Sequence, residues 1–234
     1  MTKGIIFDYG GTIDTNGDHW GKVLWKGYER CGVPVTELQF REAYVYAERT
    51  LGSKSIIRPS YTFHKTLEIK LRLEMEHLMT EGYWDVSEEE YTNKHAELLE
   101  LLYREVCDVV AESRRVLDVL KNDHPMVLVS NFYGNISSVL KEFNLEQYFN
   151  AVIESAVVGI RKPDSRIFTL GVEALGLPAT DVTVIGDSFY KDILPAKKAG
   201  CHAIWIKGTG WTDEKYDDNV PDMIITRLCE LLDL

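Results

Sequence analysis

The chain has few cysteines, no long apolar run and no concentration of positive charge, and each absence removes a class of protein. Its four cysteines, Cys31, Cys107, Cys201 and Cys229, are scattered along 234 residues without a C-x-x-C pair. That spacing argues against a zinc site or a compact disulfide framework, and the four read as reduced, buried thiols. Lys3 is followed at once by a strand, and no stretch at the amino terminus is apolar for long enough to be a signal peptide or to span a bilayer. The expectation is a cytoplasmic protein. A net charge of −11 with no compensating Lys/Arg run sets aside nucleic acid and anionic membrane surfaces as partners. An anionic small-molecule substrate would have to be met by local devices. Internal repeats and low-complexity tracts are also missing.

What is present is enough apolar material, 45% of residues, for a large core. The length fits one domain carrying a sizeable insertion better than two equal halves. Between residues 15 and 105 the pattern is helical. Thr36-Glu37-Leu38-Gln39 is a capping box ahead of Phe40, Ala43, Tyr44, Ala47 and Leu51 at helical spacing. Phe63, Leu67, Leu71, Met75 and Leu78 form a second stripe, and Ser87-Glu88-Glu89-Glu90 caps a third that carries Tyr91, His95, Leu98 and Leu102. Residues 1–14 and 106–234 alternate short β-branched strands with helices instead. The strands are Met126–Val129, Ala151–Ile153, Val182–Ile185, Ala203–Ile206 and Met223–Ile225. Apolar strands between helices predict an α/β core with a parallel sheet covered on both faces, interrupted at residues 15–105 by an all-α bundle. Residues 208–218 read as a surface loop, and Leu228–Leu232 as a closing helix.

Three strands end in polar groups: Asp8 after Ile5-Ile6-Phe7, Ser130-Asn131 after Val127-Leu128-Val129, and Gly186-Asp187 after Val184-Ile185. Parallel strands put all their carboxyl ends on one edge, where ligands bind in open α/β sheets. Asp8, Asp187 and Asp192 then offer a cluster of hard oxygen ligands suited to Mg²⁺, with capping of the helix through Pro195 as an alternative task for Asp192. Lys162, held extended by Pro163, is a candidate clamp for a developing anion.

In this order, Asp8-Tyr9-Gly10-Gly11-Thr12, Ser130-Asn131, Lys162-Pro163 and Gly186-Asp187 through Asp192 resemble the four motifs of the haloacid dehalogenase-like hydrolase superfamily. The helical insertion is similar to that family's cap. The resemblance implies a Rossmann-like core, Mg²⁺ and a covalent aspartyl intermediate, with Asp8 as nucleophile, Ser130 bonding the phosphoryl group and Lys162 neutralising it. Asn131, Gly11 and Thr12 are the accompanying substrate-binding candidates, and Asp8, the Gly10 carbonyl, Asp187 and Asp192 the metal set. One position departs from the pattern. The family's phosphatases carry an Asp where this chain has Gly10, and general acid–base help of that kind is worth about 10²–10⁴-fold. The expected activity is therefore hydrolysis of a small phosphorylated metabolite, slow unless the leaving group is good. Carbon–halogen or carbon–phosphorus cleavage is the alternative within enzymes, the latter with Lys22, Lys26, Lys54 or Lys65 as an imine-forming lysine. Binding of a phosphorylated ligand without turnover is the alternative outside them. Asp14 and His19 are the residues that could replace the missing acid, although a turn-fixing Asp14 and a solvent-facing His19 are the simpler expectation. Tyr28, Tyr44, Tyr46, Tyr61, Arg49 and Arg58 are candidates to line the substrate pocket.

Overall fold

The computed structural model describes residues 2–233. Strand β1, Gly4–Phe7, opens the chain and is buried along its whole length. Four helices follow: α1 Trp20–Arg30, α2 Glu37–Ser53, α3 Phe63–Thr80 and α4 Glu88–Leu120. The chain then alternates strands and helices through β2 Met126–Ser130, α5 Ile136–Glu142, β3 Ala151–Glu154, α6 Ser155–Val158, α7 Arg166–Leu175 and β4 Val182–Gly186. A π-helical turn, Phe189–Ile193, leads into α8 Leu194–Lys198, and β5 His202–Ile206 and β6 Met223–Ile225 complete the sheet. The expected strands are all present, each within a residue or so of its predicted bounds. The closing segment is a 3₁₀ turn, Leu228–Asp233, rather than an α-helix. Helix α1, capped by His19, has no counterpart in the sequence reading.

The six strands are parallel, in the order β3-β2-β1-β4-β5-β6. Strand β1 is central because the chain leaves it in one direction to build β2 and β3 and later returns to its other side for β4. That reversal of strand order opens a crevice at the carboxyl ends of β1, β2 and β4. Register brings the ends level, since Phe7 lies opposite both Leu128 and Ile185.

Side-chain alternation along the strands divides the interior into two cores. Ile5 and Phe7 of β1, with Met126 and Leu128 of β2, face one core. Ile6, Val127, Val129, Val182 and Val184 face the other, against Phe168 of α7. The first core runs without interruption into the helical segment through Val110, Val116 and Leu117 of α4 and on to Leu98, Met75, Leu71, Phe40 and Leu24. Helix α4 passes unbroken through residue 105, where the sequence rhythm changes, so one helix belongs to both the sheet layer and the bundle. The expected cap signals at Thr36 and Ser87 act as N-caps, Thr36 with a full capping box. All four cysteines are free thiols; Cys31 and Cys201 are buried as expected, but Cys107 is half-buried and Cys229 is exposed. No helix among the described residues is long and apolar enough to cross a membrane.

Within the bundle, Glu74 of α3 is fully buried. One carboxyl oxygen accepts the Tyr28 hydroxyl at 3.2 Å, and the other has no partner. Burial outweighs the pull of nearby Lys70 and pushes the carboxyl from 4.5 up to about 8. The folded protein thus holds a proton that the unfolded chain releases above pH 4.5, so this contribution to stability is full below that pH and is lost as pH rises toward 8. The neutral isostere Glu74→Gln should be little different from the parent near pH 4.5. It should unfold several degrees higher near pH 8, a comparison that thermal melts across the pH range would check.

Candidate active site

Asp8 sits one residue beyond β1, its amide donating to the Ile185 carbonyl of β4 at 2.9 Å. The Lys162 ammonium bonds to Asp8 Oδ1 and, at 2.7 Å, to Asp192 Oδ1. Lys162, Asp8 and Asp192 are all buried. Asp192 lies in the π-helical turn after β4, and its second oxygen accepts the Ser188 amide at 3.0 Å. It therefore closes its own loop and grips Lys162, and does not cap α8, whose N-cap is Ile193. Asp187 completes the group. Asp8, Asp187 and Asp192 each present a carboxylate oxygen within 4.8 Å of one another.

Two glycines let the carboxylates come this close. A Cβ on Gly11, which has φ +101°, would lie 2.4 Å from the Asp187 carboxyl, and one on Gly186 would lie 2.4 Å from the Asp192 side chain. Burial raises the Asp8 carboxyl to about 6 even though Lys162 pulls it down. Burial, then the charges of Asp192 and Asp8, lift Asp187 well above the carboxylate range. Burial also opposes the charge on Lys162, but Asp192 and Asp8 outweigh it and hold the ammonium above its ordinary value. Three carboxyl groups against one ammonium are hard oxygen donors on which burial and mutual repulsion oppose negative charge. That set fits a divalent cation of the Mg²⁺ type.

The remaining predicted residues fall around this centre in distinct ways. Ser130 is buried at the end of β2 and lines the same cavity as Asp8, Gly10, Asn131, Lys162, Asp187 and Asp192. Asn131 is committed to the Lys162 backbone: its Nδ2 donates to the Lys162 carbonyl and its Oδ1 accepts the Lys162 amide, both at 3.0 Å. It positions the lysine. The Gly11 amide donates to Asp14 at 2.7 Å, and the Thr12 hydroxyl lies 3.3 Å from Asp8 Oδ2 and 3.4 Å from Asp187 Oδ1. Both groups are thus engaged by carboxylates. The space at Gly10 is open, the nearest atom to an added Cβ being Trp20 Nε1 at 3.9 Å.

Asp14 is buried beneath the turn. It accepts the Gly11 amide and, at 3.0 Å, the Trp20 indole, while burial raises its carboxyl to about 7. It lines a second cavity on the α1–α4 side and not the one that holds Asp8. His19 differs from its solvent-facing expectation, for it is half-buried and lines the main cavity. Burial and the nearby Lys191 and Lys70 charges lower it to about 4. Its Nδ1 accepts the Gly21 amide at 3.0 Å, so the neutral ring carries its proton on Nε2.

The cavity, of about 510 Å³, is roofed by residues of the helical segment and of the loop after β5. Of the six tyrosines and arginines expected in its wall, only Tyr44 lines it. Tyr28 bonds Glu74 inside the bundle, and Tyr46 is exposed and stacked on His77. Nor do Lys22, Lys26, Lys54 or Lys65 reach it. The bundle lysine in the wall is Lys70, paired with Glu48. Trp211 reaches over from the loop after β5: the Arg41 guanidinium lies 4.2 Å from its ring centre, and Tyr44 and His19 pack against it at a tilt, with ring centres 4.9 and 5.2 Å away. Glu48, Lys70 and Trp211 carry no motif, and only aromatic or charged character at scattered positions could have drawn attention to them.

The model of the haloacid dehalogenase-like hydrolases matches residues 2–200. A glyceraldehyde 3-phosphate phosphatase of Methanopyrus kandleri is 33% identical over 97 residues, 41% of this chain and 42% of that protein. The Escherichia coli 5-amino-6-(5-phospho-D-ribitylamino)uracil phosphatase YigB is 29% identical over 151 residues, 63% of this chain and 62% of that protein. The chain thus spans less than two thirds of the length of these relatives. Among solved structures, a dehalogenase with an intermediate complex superposes with a TM-score of 0.64 at 14% identity, covering 99% of this chain and 96% of that one. The magnesium-bound hydrolase YfnB of Bacillus subtilis superposes at 0.59 and 17% identity, covering 99% and 97%. At such identities the structural likeness is one of fold. With the family model covering most of its length, the chain belongs to the haloacid dehalogenase-like hydrolases.

Proposed function

We propose that this chain is a Mg²⁺-dependent phosphatase of a small phosphorylated metabolite, working through a phosphoryl group carried on Asp8. The observation that carries the reading is the desolvated cluster in which Lys162 bridges Asp8 and Asp192 with Asp187 alongside. The phosphatase names of the relatives in Methanopyrus kandleri and Escherichia coli support it.

In this reading an Asp8 oxygen attacks phosphorus as the bond from phosphorus to the leaving oxygen breaks, and that oxygen departs with the bonding pair. Lys162, fixed by Asn131 through its backbone and by Asp192 through its ammonium, stays charged and compensates the negative charge gathered at the site. Ser130 donates its hydroxyl to a phosphoryl oxygen. Thr12 holds Asp8 Oδ2 in place. Water then attacks phosphorus, phosphate leaves, and the Asp8 carboxylate is restored. Mg²⁺, held by Asp8, Asp187 and the Gly10 carbonyl with Asp192 beside them, would neutralise phosphoryl charge.

No carboxylate at position 10 protonates the leaving oxygen. Asp14 does not reach the cavity, and His19, neutral at working pH, is not the imidazolium that could serve as an acid. The leaving group must therefore depart as an anion, and alkyl phosphates should be poor substrates. Formation of an imine by a bundle lysine, as in carbon–phosphorus cleavage, is disfavoured because Glu48 keeps Lys70 protonated. Dehalogenation needs no metal, whereas Asp8, Asp187 and Asp192 form a set that could hold one. The open space at Gly10 favours a second reading, retention of a phosphorylated ligand without turnover, because binding needs no proton transfer.

Phosphate release from a substrate panel should require Mg²⁺, stop on chelation and fall to assay background in Asp8→Asn. Halide release without Mg²⁺ would contradict the reading. Beryllium fluoride that raises the melting temperature, with no ester turned over, would favour the binding protein instead. Gly10→Asp, whose side chain has room, should raise kcat on alkyl phosphates by about 10²-fold or more, and unchanged alkyl rates would show that the missing carboxylate is not what limits turnover.

A further inference from the structure

The cavity wall formed by the helical segment holds an ionised carboxylate with one uncommitted oxygen. Glu48 Oε1 receives both the Lys70 ammonium and the Tyr133 hydroxyl, the latter at 3.0 Å. Among the described residues no donor reaches Oε2, and Glu48 lines the cavity with 33% of its side chain accessible. Burial works against charge on Glu48, but its Lys70 and Tyr133 partners prevail and hold the carboxyl below the usual range. Lys70 pairs with Glu48 and Lys191 stands near, so the charge is already compensated. What Oε2 lacks is a neutral hydrogen-bond donor rather than another cation.

Rings line the cavity along with Glu48. Tyr44 packs 4.9 Å from Trp211 and lies under the Lys70 ammonium at 4.6 Å, and Phe132 packs against Tyr133 at 5.2 Å. Such walls suit a flat π-system. The vacancy at Gly10 points the same way, because a phenolic oxygen, with a conjugate acid near pKa 10, leaves as an anion far more readily than an alkoxide, whose conjugate acid lies near that of water at about 16.

From this geometry we infer that the site takes the phosphate monoester of an aromatic alcohol bearing a neutral hydroxyl or amino donor on its ring, with that donor bonded to Glu48 Oε2. The inference rests on the phosphatase reading above. The Asp8–phosphorus bond forms as the bond from phosphorus to the ring oxygen breaks, and the phenolate takes a proton from water. Hydrolysis at Asp8 then returns inorganic phosphate, so that one water is consumed for each phenol and phosphate released.

The test uses the full chain with Mg²⁺ and four probes: acetyl phosphate, phenyl phosphate, and its 3-hydroxy and 4-hydroxymethyl derivatives. The ring phosphates should show lower KM than acetyl phosphate. At least one donor-bearing derivative should exceed phenyl phosphate by about tenfold or more in kcat/KM, mostly through KM, as expected for a hydrogen bond to a charged group. In Glu48→Gln that ratio, taken within the variant, should fall to about two or less. If acetyl phosphate is hydrolysed but the ring or its donor brings no gain in the parent protein, the aromatic assignment is overturned and the phosphatase reading stands. A ratio that survives in a folded Glu48→Gln also overturns it. No release from any probe sinks the underlying reading itself.

Discussion

One buried ammonium holds this site together. Lys162 bonds Asp8 from the end of β1 and Asp192 from the turn after β4, so that two carboxylates which would repel each other in a desolvated crevice are kept side by side. Removing one member of such a buried pair typically costs about 3–5 kcal/mol, because the partner is left charged and unsolvated. The arrangement explains why so much nearby chemistry is devoted to placing the lysine. Asn131 clasps its backbone from both sides, and Asp192 is itself tied to the Ser188 amide.

Close packing of carboxylates also needs the absence of side chains. Gly11 and Gly186 lie where any Cβ would strike Asp187 or Asp192. The glycines and the acids are thus one device, since the first permit the second to converge. Gly10 belongs to a different category. Nothing presses on the space where its side chain would be, so packing does not require a glycine there. The neighbouring Trp20 indole, which would face a carboxylate there, donates instead to Asp14 under the turn.

The helical segment and the sheet share α4 and a continuous apolar core, which ties the roof of the cavity to its floor. The loop after β5 adds a second tie through Trp211, seated on Gly21, Tyr44 and Arg41. Shape and polarity across the roof therefore depend on residues drawn from three distant stretches of chain. The strand termini with Asp8, Ser130 and Asp187 build one end of the cavity. In this molecule the opposite end is built by aromatic side chains and the Glu48–Lys70 pair.

The strands, their parallel arrangement and the convergence of Asp8, Ser130, Asp187 and Asp192 were legible in the sequence because each signal is local, whereas Lys162, in the loop before α7, was legible only from its place in the series of motifs. An apolar run that stops at a polar residue marks a strand end, and parallel pairing places all such ends on one edge. Helix α1 was not legible, since its N-cap is a histidine and its apolar face is interrupted by Gly21 and Gly27, which serve close contacts with Trp211, Leu98 and Leu102. Asn131 and Asp192 were seen as site residues, but their shared task of holding Lys162 depends on hydrogen bonds between segments some thirty residues apart. The burial that lifts Asp14 and silences His19 is likewise a property of neighbours remote in sequence. Sequence alone determined which groups stand at the strand ends, because strand periodicity and chain direction suffice for that. Tertiary structure alone decided which groups are desolvated, which are already bonded and what covers them, because those depend on contacts between segments that the linear order does not specify.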